Sequence, residues 1–249
     1  MKGKEVVLVQ GMNPNPNDSL ITIAFAGRTA RELGAAKVTG VIPYLGYMRQ
    51  DFRFHDGECV SSRQMAWALN QSIDKIITFD PHLHRIHDLA EIFTIARKRL
   101  SANTAIAEHI KKKFQKKGTV LVGPDIESSQ WAKSIADSIG FESAVFSKER
   151  LSSHKVKLKV GNGTEWKGKN VIVVDDIISS GHTILETLKE LRQRKVKSIH
   201  VICVHPIFAE NSYTKILRAG AKTIVSCNTI THKSNGIDMS GIIAEELAK

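Results

Sequence analysis

The chain has 249 residues, 42% of them hydrophobic and 24% charged, with a formal net charge of +11. That is chain enough for one large or two small cores. It has no run of about eighteen apolar residues that would span a membrane, and Cys59, Cys203 and Cys227 lack the spacing of a zinc site or disulfide framework.

A reducing, cytoplasmic location is expected, with no membrane partner. The basic residues are dispersed apart from 111–117, which reads as the solvated end of a helix, so no nucleic-acid partner is expected either.

In chain order, 5–10 reads as a strand and 11–19 as a loop rich in Asn and Pro. A helix is predicted over 20–33, capped by Asp18 or Ser19 and stopped by Gly34. The next strand covers 37–44. Residues 44–58 then form a loop dense in Arg, carboxylate and aromatic groups, where Arg49 and Arg53 suit polyphosphate oxygens. After a strand over 75–80 comes Asp80-Pro81-His82-Leu83-His84-Arg85-Ile86-His87. This is not the His-Glu-x-x-His zinc pattern; it suits a strand-end Asp-x-His facing a magnesium-bound phosphate, with His84 and His87 as ordinary surface residues. A helix over 101–114 leads to a strand and turn over 119–128. There Asp125 is either a ligand group at a strand's carboxyl end or a plain turn former. A helix over 131–139 and a strand over 143–146 follow. Residues 148–157 read as a mobile loop and hairpin or a basic edge strand, and 161–163 as a turn.

The chain is organised around residues 171–183. Four β-branched residues, Val171-Ile172-Val173-Val174, read as a strand buried on both faces. Asp175 and Asp176 follow, then Ser179-Ser180-Gly181-His182-Thr183, then a helix over 183–194. Unpaired amides at a helix start hold phosphate, the hydroxyls add donors, and the acidic pair suits a sugar diol or a magnesium-bound oxyanion. The plainer reading is a βα turn with a serine N-cap. Strands over 195–206 and 222–228 and a last amphipathic segment over 239–247 complete the chain. The order strand, loop, helix, strand in 5–44 recurs in 170–206 over nearly equal spans, which predicts two related βαβ halves.

The 171–183 stretch resembles the ribose-phosphate loop of the type I phosphoribosyltransferase fold. Taken with the other motifs, nearly the whole chain resembles the ribose-phosphate diphosphokinase family, in a divergent bacterial-type branch. Residues 43–51 match its ATP loop, Asp80 and His82 its Asp-x-His motif, Gly123-Pro124-Asp125 a second metal motif, and Lys148 and Arg150 its catalytic-loop cations. His205-Pro206-Ile207-Phe208 and Ser240-Gly241 match as well.

The resemblance implies an α/β fold of two phosphoribosyltransferase-like parallel-sheet domains with crossover helices: 1–98 completed by 233–249, and 99–232. It implies that the diphosphoryl group of ATP passes to the 1-hydroxyl of ribose 5-phosphate, with Lys148 and Arg150 catalytic and Mg²⁺ at His82 and Asp125. Substrate contacts would come from Arg49, Gln50, Asp51, Asp175, Asp176, Ser179, Ser180, Gly181, His182 and Thr183, in a homo-oligomer. Two departures bear on this. Ser179 stands where the major enzymes carry Asp. The match also begins after the family's first strand, helix and hairpin, which help to hold adenine. The alternative is a non-catalytic, nucleotide-binding regulatory homologue.

Overall fold

The computed structural model describes residues 1–152, 155–160 and 165–249, with the side chains of 127 and 145–160 left aside. It divides into two compact units, 1–101 with 240–249, and 102–239.

In the first unit, strands β1 (Glu5–Val9), β2 (Lys37–Val41), β3 (Lys75–Phe79) and β4 (Ala96–Leu100) form a parallel sheet in that order. Helix α1 (Pro16–Glu32) starts before the predicted residue 20, because Pro16 sits in the first turn, where its fixed φ fits and its missing N–H costs nothing. Helix α2 (Ser61–Asn70) and strand β4 are elements that the sequence did not announce. The apolar stripe of α2 is short, with Met65, Ala66 and Leu69 buried, and β4 is an edge strand on which only Leu100 is buried. Ile23 of α1, Val38 of β2, Ile42, Met65 and Leu69 of α2, and Ile76 of β3 share one core. Helix α7 (Ser240–Leu247) belongs to this unit. Its buried Glu246 lies 3.1 Å from Lys75 of β3 and 3.9 Å from Lys98 of β4, which fastens the chain's last helix to this sheet.

The second unit starts with helix α3 (Asn103–Lys113). Its strands are β5 (Thr119–Gly123), β6 (Glu142–Ser152), β7 (Lys155–Val160), β8 (Asn170–Ile178), β9 (Ser198–Pro206), β10 (Ala221–Cys227) and β11 (Asn235–Ile237). Their spatial order is β11-β10-β9-β8-β5-β6-β7, parallel except for the β6–β7 hairpin. Helices α4 (Ile126–Ile139), α5 (His182–Gln193) and α6 (Ser212–Arg218) make the crossovers. The two readings of 148–157 hold together: β6 and β7 pair as a hairpin, and β7, with Lys155, Lys157 and Lys159, is the strand at the edge of the order. The turn expected at 161–163 lies outside the described residues. Residues 233–239 go with this unit because β11 pairs with β10.

At the centre, Val171 to Val174 of β8 have no exposed surface, as expected of a strand covered on both faces. The strand does not stop there. It continues through both aspartates, with Asp175 beside Cys203 and Ile177 beside His205 of β9. Pairing with a neighbour as long as β9 carries the extended backbone past the point where the apolar run ends. The acidic pair is thus part of a strand and shares its rigidity.

Candidate active site

The two helices that begin at the carboxyl ends of β5 and β8 are finished differently. At α4 the N-cap is Asp125, whose Oδ1 accepts the Ser128 N–H at 2.8 Å. That helix start is already occupied by a carboxylate of the chain. At α5 the N-cap is Gly181, with φ of 75° and no side-chain cap. Its first-turn amides are left for an anion, where the helix dipole is most positive.

Gly181 is required twice over. Its φ is left-handed, and an added Cβ would lie 3.0 Å from Ser212 Cβ and 3.1 Å from Ile216 Cδ1 of α6. Ser179 and Ser180 are half-buried beside it, Thr183 is half-buried in the first turn, and the exposed His182 has its Nδ1 2.9 Å from Ser180 Oγ. The serine N-cap considered from sequence is absent, because the turn needs a left-handed residue at that position.

Asp175 is buried. Its Oδ1 accepts from Ser128 Oγ at 2.8 Å and from the Asp176 N–H at 3.1 Å. Burial raises its carboxyl well above the ordinary carboxylate range, and the neighbouring charges of Asp176 and Asp125 add to the rise, while the Ser128 hydroxyl opposes it. Ser128 therefore joins Asp125 of one strand end to Asp175 of the next, its amide on the first and its hydroxyl on the second. This group, with the open start of α5 beside it, is a polar cradle at the carboxyl edge of a parallel sheet, the position at which such sheets bind ligands.

In the first unit, the loop after β2 is built around Gln50. Its Oε1 accepts the Ser61 N–H and its Nε2 donates to the Cys59 carbonyl, so it ties the loop to the start of α2. Arg49 is exposed. Asp51, expected to contact substrate, is buried, and both its oxygens accept from Arg85, Oδ2 from the backbone N–H at 3.0 Å and Oδ1 from Nη1 at 3.2 Å. The Arg85 guanidinium also lies 3.8 Å over the Phe52 ring. Asp51 thus braces the loop against the segment that follows β3.

Burial would raise the Asp51 carboxyl, but the hydrogen bonds and charge of Arg85 outweigh it and hold it below the ordinary value. Because its folded pKa lies below the unfolded one, the pair contributes stability above pH ~4 that is lost as pH falls through the depressed value. Asp51→Asn should lower stability by about 1 to 2 kcal/mol at neutral pH. The Tm gap to the parent should close as pH drops below about 4. A gap constant from neutral pH to well below that point would show that the charge on Asp51 contributes nothing.

Asp80 directly follows β3, buried and with φ of 28°, and its N–H donates to the Leu100 carbonyl at 3.0 Å. A left-handed Asp at a strand end is strained backbone of the kind found at functional sites. His82 is half-buried, its ring parallel to that of the exposed His84 at 6.2 Å. His87 belongs to a capping turn, its N–H bonded to Glu91 Oε1 at 2.7 Å. Among the described residues no three His, Cys, Asp or Glu groups converge as a metal cage. Lys148 and Arg150 lie in the hairpin, their backbones opposite Leu158 and Val156.

Sequence reasoning missed Ser128, Ser212 and Arg85. Each acts through a partner 33 to 47 residues away, and no local pattern marks it.

Two family models match the chain: the N-terminal domain of ribose phosphate pyrophosphokinase over residues 1–72, and the phosphoribosyl transferase domain over residues 90–240. The ribose-phosphate pyrophosphokinase of Methanobrevibacter smithii is 35% identical over 98% of this chain and 84% of its own length. That of Methanothermobacter thermautotrophicus is 34% identical over 97% and 82%, and that of Pyrococcus abyssi 32% over 98% and 83%. The crystal structure of phosphoribosylpyrophosphate synthetase from Mycobacterium smegmatis has the same fold, with a TM-score of 0.85 at 23% identity over 99% of this chain and 82% of that one. With an open helix start and an acidic pair whose Asp175 is buried at its sheet edge, and with relatives matched along nearly all its length, the chain belongs to the ribose-phosphate pyrophosphokinase family.

Proposed function

We propose that this chain transfers the diphosphoryl group of ATP to the 1-hydroxyl of ribose 5-phosphate, giving phosphoribosyl pyrophosphate and AMP. The observation that carries the reading is the contrast between the two helix starts, α4 closed by Asp125 and α5 left open beside buried Asp175. The 5-phosphate takes the amides and hydroxyls of 179–183, and Asp175 and Asp176 take the ribose hydroxyls. Arg49 faces the ATP polyphosphate from a loop that Gln50 and Asp51 hold in shape. Lys148 and Arg150 supply positive charge to the oxygens on which charge grows. Family membership favours catalysis over a regulatory, non-catalytic role.

The metal we propose is Mg²⁺. It binds proteins through one or two side chains and fills the remaining positions with water and substrate phosphates, which fits a chain with no three-residue cage among its described residues. His82 would hold one such ion at the ATP phosphates, and Asp125 would be the position for a second beside the ribose. When bound it would neutralise charge on the transferring group.

Formation of AMP and phosphoribosyl pyrophosphate from ATP, ribose 5-phosphate and Mg²⁺ tests the reading directly, and absence of both products sinks it. Asp175→Ala and Thr183→Ala should each weaken ribose 5-phosphate binding about tenfold, since each removes a pre-placed polar partner. Unchanged calorimetric affinity in both would move the sugar phosphate elsewhere.

A further inference from the structure

The phosphate turn is held from behind by a residue that none of its motifs contains. Ser212 opens α6 and has no exposed surface. The N-cap of α6 is Asn211, so Ser212 stands one position past the place where a serine would bond the amides of the first turn. Its hydroxyl donates to the Ser179 carbonyl at 2.6 Å, while α6 has no side-chain cap at all.

The peptide plane gives that bond its consequence. In a trans peptide the C=O of one residue and the N–H of the next point in opposite directions. Holding the Ser179 carbonyl toward α6 therefore turns the Ser180 N–H away from α6. That N–H has no acceptor among the described residues.

The approach to Ser212 is costly. Phe208, Glu210 and Asn211 all adopt left-handed backbone, with φ of 47°, 56° and 59°. None is glycine, and each such residue costs on the order of 1 kcal/mol. Strain of this kind persists where the surroundings over-determine it. Here Phe208 is buried and its N–H is bonded to the Ile178 carbonyl at 2.9 Å, while Gly181 lies against Ser212 and Ile216. The strained loop delivers one buried hydroxyl to the back of the turn.

Resting on the sugar-phosphate reading given above, we infer that Ser212 is a positioning residue whose hydroxyl orients the Ser179–Ser180 peptide so that the Ser180 N–H is presented to the 5-phosphate of ribose 5-phosphate. It touches no substrate and acts through the peptide alone.

The test uses the full chain. In Ser212→Ala the carbonyl loses its donor and the peptide is free to rotate. Calorimetric affinity for ribose 5-phosphate should fall about tenfold, while KM for ATP should stay within about twofold. A general loss of structure would move both together. Equal ribose 5-phosphate affinity in parent and variant overturns the inference and leaves the function intact, whereas a parent that binds no ribose 5-phosphate sinks both. A second measurement needs no variant. In the parent, the amide proton of Ser180 should shift downfield when ribose 5-phosphate is added and stay in place when ribose lacking the phosphate is added. An unmoved Ser180 amide in saturating ribose 5-phosphate overturns the inference, whether or not the alanine variant folds.

Discussion

Lys148→Ala should lower kcat about a hundredfold or more and change KM for either substrate by no more than about threefold. As a diphosphoryl group moves between oxygens, negative charge grows on the bridging and equatorial positions. A cation that meets this charge only in the transition state is worth about 3 kcal/mol of barrier and little ground-state affinity. The hairpin is a suitable carrier for such a cation. β6 pairs with β5 from Glu142 to Val145, and from Phe146 onward it pairs with β7, so positions 148 and 150 lie where the sheet has narrowed to a two-stranded ribbon, past the pairing with β5. An element of this form can meet bound substrates without disturbing the rigid β5–β8 edge that holds Asp125 and Asp175. Initial rates of AMP release at saturating ATP and ribose 5-phosphate give the answer. Equal turnover in variant and parent would remove Lys148 from the chemistry. A loss confined to KM would make it a ground-state contact.

Gly123→Ala should cost about 3 kcal/mol or more of stability and abolish ribose 5-phosphate binding in the fraction that still folds. An added Cβ would lie 2.1 Å from the Ser128 carbonyl carbon and 2.1 Å from the Ser129 nitrogen. Both are backbone atoms in the first turn of α4, and no rotamer change relieves the overlap. The helix start also carries the Asp125 cap, the bond from Ser129 Oγ to the Gly123 carbonyl at 3.2 Å, and the Ser128 hydroxyl on Asp175. Pushing α4 off the end of β5 breaks all three, so stability and binding fall together. Chemical denaturation reads the first effect and calorimetry the second. A variant as stable as the parent would mean that α4 moves away at no cost and that the close approach at Gly123 is incidental.

Sequence alone determined the strand that organises the second unit, its acidic pair and the hydroxyl-rich turn. These are local patterns: four β-branched residues in a row favour a strand buried on both faces, and small hydroxyl residues with glycine favour a tight turn before a helix. The parallel βαβ order was legible for the same reason, since alternating apolar runs and helical periods leave few ways to cover both faces of a sheet. Where local pattern was weak, the sequence was silent. β4 is a charged edge strand made by pairing with β3, and β8 outlasts its apolar run because β9 lies beside it.

The tertiary structure alone decided what each polar residue does. Asp51 and Asp175 look alike as carboxylates beside apolar residues. One is held charged by Arg85 from 34 positions away, and the other is raised by burial and met by Ser128 from 47 positions away. Asp125 caps α4 through its Oδ1, and Gly181 rather than a serine is the N-cap of α5. A carboxylate's charge and direction depend on how much water reaches it and on which donors reach it. Both are fixed by elements distant in the chain, because a hydrogen bond depends on separation in space and has no period along the sequence.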